Sequence, residues 1–144
     1  MTKTSLHSSL IALACGALLA LATPSMAAMV NLKADLKASS EVPPNESKGT
    51  GSVTATFDTD SNKLSWKGTV SGLSGPVTAA HFHTADVGRN GAVAVAIIDA
   101  DKGSFEGSAT LTDTQAEDLM AGKWYVNIHT ATHKAGEIRG QVTR

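Results

Sequence analysis

Apolar and polar residues alternate along most of the chain, and a period of two is typical of strands with one buried face. In VNLKADLKA, residues 30–38, every second residue from Val30 onward is apolar and every residue between is polar. The same alternation returns in GSVTATFD, residues 51–58. After the turn DTDSN, one face of residues 64–70 carries Leu64, Trp66, Gly68 and Val70. These segments predict neighbouring, half-buried antiparallel strands.

The central and C-terminal segments predict further strands. Residues 41–49, EVPPNESKG, are predicted to form a loop because their two prolines cannot donate to a strand ladder. VTAAHFH predicts a strand, Asn90-Gly91 indicates a tight turn, and AVAVAII then predicts a continuously buried strand. Three more strands are predicted around residues 105–111, 123–130 and 136–142.

One helix is predicted, in TDTQAEDLMAG, residues 112–122. Thr114 and Glu117 have capping-box spacing, and Gly122 stands where the helix is expected to end. Seven or eight short strands with one short helix predict an all-β fold, an antiparallel β-sandwich of Greek-key or immunoglobulin-like topology.

The first residues have the order of a secretory signal peptide. Lys3 precedes an apolar run over residues 10–22, and Ser25-Met26-Ala27 supplies small residues for cleavage after residue 27. The run is shorter than the roughly 20 residues of a membrane span. A lipoprotein would use Cys15, which only a short apolar stretch precedes. We therefore expect a signal peptide at 1–27 and one exported domain at 28–144, periplasmic or secreted, without a membrane span.

Charge and cysteine content narrow the classes of partner. The whole chain has a formal net charge of −1, and its one cysteine lies in the predicted signal peptide. The exported part would carry no disulfide, so its stability must come from its core or a bound ion. Acidic and basic residues are interleaved without a basic stripe, which argues against nucleic acid as a partner.

Four of the five histidines fall in two short clusters. His81 and His83 alternate on one predicted strand, so their Cα atoms are about 7 Å apart on one face. Two imidazoles at that spacing can converge on one ion, but they can also serve as hydrogen-bonded packing residues. His129 ends a later strand and His133 follows in a loop. If the two strands are neighbours, these four residues are candidate ligands for copper or zinc, since no thiolate is present.

The strand GEIRGQV places Glu137 and Arg139 on one face, where a structural ion pair next to an outward surface is expected. Glu137 has no second carboxylate close in sequence, which argues against glycosidase chemistry. The chain also has no nucleophile elbow, phosphate loop or Cys/His pair. The sequence therefore names no catalytic residue.

Three stretches resemble the CHRD domain, a module named for its repeats in chordin and found in small exported bacterial proteins. They are EVPP, AAHFHTADVGRNGAV and LMAGKWYVNIHTATHKAGEIRGQV, and the resemblance covers residues 29–143. Lys134 stands where such sequences often have proline. The resemblance implies an immunoglobulin-like β-sandwich and, by analogy with chordin, a binding role.

HFH is also similar to the copper-ligand strand of copper–zinc superoxide dismutases. That family uses more histidines, an aspartate and a disulfide, so a full dismutase site is not expected here. Three hypotheses follow: an exported binding module for a metal ion or an extracellular protein or glycan, a mononuclear copper or zinc redox protein, and a structural envelope or matrix component.

Overall fold

A computed structural model describes residues 28–144, and the predicted signal peptide lies outside this range. The described chain forms eight strands, one α-helix and two short 3-10 turns at Ala38–Ser40 and Ala100–Lys102. The strands and helix, in chain order, are β1 (Met29–Lys37), β2 (Thr50–Asp58), β3 (Lys63–Ser71), β4 (Val77–Thr84), β5 (Ala92–Ala96), β6 (Ser104–Thr110), α1 (Asp113–Met120), β7 (Trp124–Thr130) and β8 (Ile138–Gln141).

All eight strands join in one antiparallel sheet, in the order β5-β4-β7-β8-β1-β2-β3-β6. The sheet curls over on itself. This is shown by Trp66 of β3 and Phe82 of β4, which are not on neighbouring strands but meet edge-to-face with ring centroids 5.2 Å apart. The all-β class and the single short helix are confirmed. An immunoglobulin-like sandwich is not confirmed, since the strand pairing is continuous from one edge to the other.

The alternating pattern places the core as predicted. On β1, Leu32, Ala34 and Leu36 are buried while the polar residues between them are exposed. On β2, the apolar residues of the alternating stretch are buried in the same way. β1 and β2 pair in register along their whole lengths, so the two apolar faces form one continuous surface of the core.

The structure corrects two strand-level predictions. AVAVAII is not continuously buried: β5 is an edge strand, and Val93 and Ile98 are exposed. β5 consists of small and β-branched apolar residues at the edge of the sheet. Periodicity alone does not distinguish such an apolar run from a buried core strand. Asn90-Gly91 also does not close a two-residue hairpin, because residues 85–91 form a longer loop between β4 and β5.

The helix begins two residues earlier than its predicted capping box. Thr112 accepts a hydrogen bond from the Gln115 backbone N–H, and the Gln115 side chain accepts one from the Thr112 backbone N–H. The sequence contains two overlapping matches to the capping pattern, and the one at Thr112 forms. Within residues 28–144, no helix is long and apolar enough to cross a membrane.

Both faces of β7 are buried. Alternation in WYVNIHT, residues 124–130, predicts only one core face, with Tyr125, Asn127 and His129 on the face away from the core. Trp124, Val126 and Ile128 face the main core as expected. The other face lies under the loops that follow β1 and β4, which are tied together where Asn90 Nδ2 donates to the Val42 carbonyl at 2.9 Å. This covered polar face carries the candidate site.

Candidate metal centre

Three of the four predicted ligand histidines converge on the covered polar face. β4 and β7 are antiparallel neighbours, with His81 opposite Asn127 and His83 opposite Tyr125. His129 lies two residues beyond Asn127, diagonal to His81. One ring nitrogen from each of the three histidines lies within 4.8 Å of the others, and all three side chains are half-buried. We call His81, His83 and His129 the histidine triad.

Backbone carbonyls fix the tautomer of two triad members. His83 Nδ1 is 3.0 Å from the Gly91 carbonyl oxygen, and His129 Nδ1 is 2.9 Å from the Lys134 carbonyl oxygen. A carbonyl only accepts, so each Nδ1 carries the proton and donates. In the neutral rings, each Nε2 therefore presents a lone pair. Metal-binding histidines in proteins are held in this way by their other ring nitrogen.

The spacing between two of the rings also suits a metal ion. His81 Nδ1 and His129 Nε2 are 3.3 Å apart. Two nitrogens bound tetrahedrally at 2.0–2.1 Å from one ion lie about 3.3 Å apart. The same 3.3 Å contact is a hydrogen bond when His81 Nδ1 carries a proton, so binding an ion through this atom requires the other tautomer of His81.

The surroundings of His81 and His83 favour the neutral forms of these two residues. Burial lowers the pKa of His81 below its ordinary value, and the nearby His129 and His83 lower it further. Burial also lowers the pKa of His83; the hydrogen bond to Gly91 opposes this, while His129 and Arg139 add to it. Metal ligation needs neutral imidazoles. Because the two pKa values are lowered, the neutral forms of His81 and His83 persist to lower pH than those of free imidazoles.

Tyr125 supports His83 from the neighbouring strand. The two rings are stacked, with centroids 4.8 Å apart and planes 3° from parallel. The Tyr125 hydroxyl accepts from the Gly91 N–H at 3.3 Å, so Tyr125 and His83 both hold the same residue of the β4–β5 loop. Gly91 allows this close approach, because a Cβ there would collide with the Thr84 carbonyl oxygen.

The structure does not bring His133 into the triad. His133 Nδ1 lies 3.2 Å from Ser74 Oγ and 3.5 Å from Glu137 Oε2. Its position in the loop after β7 therefore places it with the Glu137 carboxylate.

Glu137 and Arg139 are both buried and do not pair, which contradicts the predicted outward ion pair. Glu137 is fully buried and accepts hydrogen bonds from the Ser47 and Thr130 hydroxyls and from the backbone N–H and hydroxyl of Ser74. Burial alone would raise the pKa of Glu137, but these hydrogen bonds lower it to about 2. A carboxylate with such partners stays ionised and braces three segments of the chain.

Arg139 lies against the opposite side of the site from β4. Its Cζ is 3.4 Å from the centroid of the Tyr125 ring, and its guanidinium donates to Asn90 Oδ1 at 3.0 Å and to the Arg89 carbonyl. Since β7 lies between β4 and β8, the Tyr125 ring contacts His83 on one neighbouring strand and Arg139 on the other. The guanidinium thus connects β8 to the loop that holds His83.

Sequence reasoning missed Glu41 and Asn127. Asn127 Nδ2 donates to Glu41 Oε1 at 2.6 Å, and both residues are buried. Burial raises the pKa of Glu41 to about 7, against the lowering effects of Arg139, Asn127 and the Val42 backbone. The glutamate of the EVPP stretch was the available signal, but nothing in the alternation pattern shows that its loop covers β7.

The curled sheet and the triad together define a small all-β domain with a candidate transition-metal centre. A family model described as the CHRD domain matches residues 32–142. The match covers most of the chain, which therefore belongs to the CHRD domain family. No curated protein and no solved structure matches the chain.

Proposed function

We propose that this protein is an exported binding module of the CHRD type that holds one copper or zinc ion through His81, His83 and His129. The observation that carries the proposal is the convergence of three ring nitrogens within 4.8 Å. Two of these rings have their Nδ1 protons directed to backbone carbonyls, which leaves Nε2 free for an ion. Family membership supports the binding role.

The donor set favours copper or zinc over calcium or magnesium. Three imidazoles without thiolate suit copper and zinc, whereas calcium and magnesium take oxygen ligands. Three protein ligands also leave a fourth position for a small exogenous ligand. A hydrogen-bonded brace, without an ion, is the competing role for the same residues.

Metal content of the purified, untagged protein tests the proposal. After exposure to copper or zinc and desalting, we expect about one equivalent of retained metal by elemental mass spectrometry. His81→Ala, His83→Ala and His129→Ala should each lower the affinity sharply. His133→Ala is the matched control, because it removes a histidine that lies with Ser74 and Glu137, and it should retain the metal.

Two outcomes would contradict the proposal. Absence of retained metal would assign the triad to hydrogen-bonded packing and direct the search to extracellular protein or glycan partners. Equal retention by all four alanine variants would place the bound metal elsewhere. Near-ultraviolet circular dichroism of each variant separates loss of the site from loss of the fold.

A redox role is the second candidate, and the half-burial of all three triad residues favours it. An ion held there has a ligand position that small molecules can reach from solvent. Voltammetry of the copper-loaded protein distinguishes the two roles: reversible cycling between copper oxidation states supports redox chemistry, and its absence supports binding alone. Absence of both metal and partner binding would favour a structural envelope role.

Export through residues 1–27 is part of the same proposal. The charge, apolar run and small residues of this segment support it. N-terminal sequencing of protein recovered from the periplasm or the medium should begin at Ala28. Recovery of the full-length chain inside the cell would contradict export.

A further inference from the structure

Within residues 28–144, two buried acceptor atoms lack partners on the face that carries the triad. The buried side-chain polar atoms of this range without a hydrogen bond are Trp66 Nε1, Trp124 Nε1, His83 Nε2 and Asn127 Oδ1. The two tryptophan atoms are donors on core residues. His83 Nε2, in the tautomer fixed by Gly91, and Asn127 Oδ1 are both acceptors. Buried acceptors are normally satisfied, so these two require a cation or a proton donor.

The position of Asn127 relates its free oxygen to the triad. Asn127 is directly opposite His81 and two residues before His129, so the three side chains share one face. Its side chain is nearly inaccessible, at 3% exposure. Its side-chain oxygen is therefore not exposed to hydrogen bonding by bulk water, as the oxygen of a surface asparagine would be.

Glu41 fixes the orientation of the Asn127 amide. Nδ2 donates to Glu41 Oε1 at 2.6 Å and lies against Gly136, which leads into β8. When Glu41 is ionised, rotating the amide by half a turn would place two acceptor oxygens against each other, which is unfavourable. Since the nitrogen is directed towards β8, the oxygen is left for the β4 side, where His81 lies.

We propose that Asn127 Oδ1 accepts a hydrogen bond from the fourth ligand of the ion and thereby selects a protic ligand, such as water, over an aprotic anion. This inference rests on the proposed metal site. Asn127 is a positioning residue here, because it acts on the exogenous ligand and does not bind the ion. A water molecule donates to the amide oxygen, whereas an anion such as azide places a negative atom against it.

Azide binding to the copper(II)-loaded protein tests this role. Copper(II) is suitable even if zinc is the natural ion, because nitrogen sites bind it more tightly than the other divalent metals of the first row. Azide is titrated and followed by its charge-transfer absorbance with copper. In Asn127→Ala, we expect azide affinity to rise about tenfold, the size of effect that one lost hydrogen bond produces.

A second variant reverses the sign. Asn127→Asp in a Glu41→Gln background keeps an acceptor and adds negative charge, because the glutamine amide can donate to the new carboxylate, so azide affinity should fall below that of Glu41→Gln alone. His133→Ala is the control: His133 lies with Ser74 and Glu137 and outside the triad, so azide affinity should change by less than about twofold. If Asn127→Ala does not fold, the Asp variant still decides the question.

The outcomes separate the two proposals. If both Asn127 variants retain copper and changing Asn127 leaves azide affinity the same, the role of Asn127 is overturned and the metal site is not. Failure of the unchanged protein to retain copper overturns the metal site and, with it, this inference. Higher azide affinity in Asn127→Ala and lower affinity in Asn127→Asp, with copper content unchanged, supports both.

Discussion

Replacing Glu41 with glutamine is expected to stabilise the protein at neutral pH. Glu41 is 6% exposed, and burial raises its pKa from 4.5 to about 7 despite the nearby Arg139 and the hydrogen bond from Asn127. The ionised form is therefore less favourable in the folded protein than in the unfolded chain. Glutamine resembles the protonated carboxyl in shape and still offers an oxygen to Asn127 Nδ2.

The size and pH window of the effect follow from linkage. At about 1.36 kcal/mol per pKa unit, a rise from 4.5 to about 7 corresponds to roughly 3 kcal/mol. Because the folded-state pKa is raised, the favourable contribution of protonated Glu41 is fully present below pH 4.5. It decreases as pH rises and is lost above about pH 7. The stability of Glu41→Gln relative to the unchanged protein should therefore increase by roughly 3 kcal/mol between about pH 4 and about pH 8.

Urea unfolding measures this difference directly. Trp66 and Trp124 are buried and report unfolding by fluorescence, and a chelator keeps both proteins free of metal. Comparing the two proteins at each pH removes the contributions of His81 and His83, which are common to both. Glu46→Gln, a change at an exposed glutamate of the same loop, controls for the lost charge. A stability difference that stays constant across this pH range would refute the reasoning.

Three further substitutions, two of them with a matched control variant, test other parts of the structure. Glu137→Gln should destabilise the protein by roughly 3 kcal/mol at neutral pH, because a pKa of about 2 stabilises the ionised form; urea unfolding should show this difference disappearing as pH falls from 4.5 towards 2. Gly91→Ala should lower both copper affinity and the urea midpoint, whereas Gly75→Ala, where a Cβ meets open space, should leave both unchanged. Thr112→Ala should cost about 1 kcal/mol in urea unfolding through loss of the helix cap, and Thr114→Ala should cost clearly less.

The shared face of the triad histidines could be predicted because alternation along a strand depends only on residues that are close in sequence. Alternation placed His81 and His83 on one face, and the candidate site depended on the condition that their strand neighbours the one ending in His129. The sheet meets that condition, because β4 pairs with β7. The position of His133 could not be predicted in this way. It lies in a loop, where side-chain direction depends on Ser74, which is distant in sequence and follows β3.

The covered face of β7 was unpredictable for a related reason. Alternation assigned Tyr125 and Asn127 to the face away from the core, which is correct, but burial of that face depends on loops. The loop after β1 brings Glu41 to Asn127 across a sequence separation of 86 residues. Periodicity within a strand contains no information on such a contact. For β5 the error had the opposite sign, because its apolar composition predicted burial and the strand lies at an exposed edge.

The two buried glutamates differ in how their ionised forms affect the stability of the fold. Glu137 has hydroxyl and N–H donors around its carboxylate, so its burial stabilises the fold, and within the described chain no triad residue is among its hydrogen-bond partners. Glu41 has one strong side-chain donor, Asn127, and its burial is unfavourable when ionised. Local departures from favourable interactions are expected at functional sites. Here the unfavourable carboxyl, the unpartnered amide oxygen and the unpartnered His83 Nε2 all lie on the face of the triad, which argues that this face is arranged for a ligand and not for stability alone.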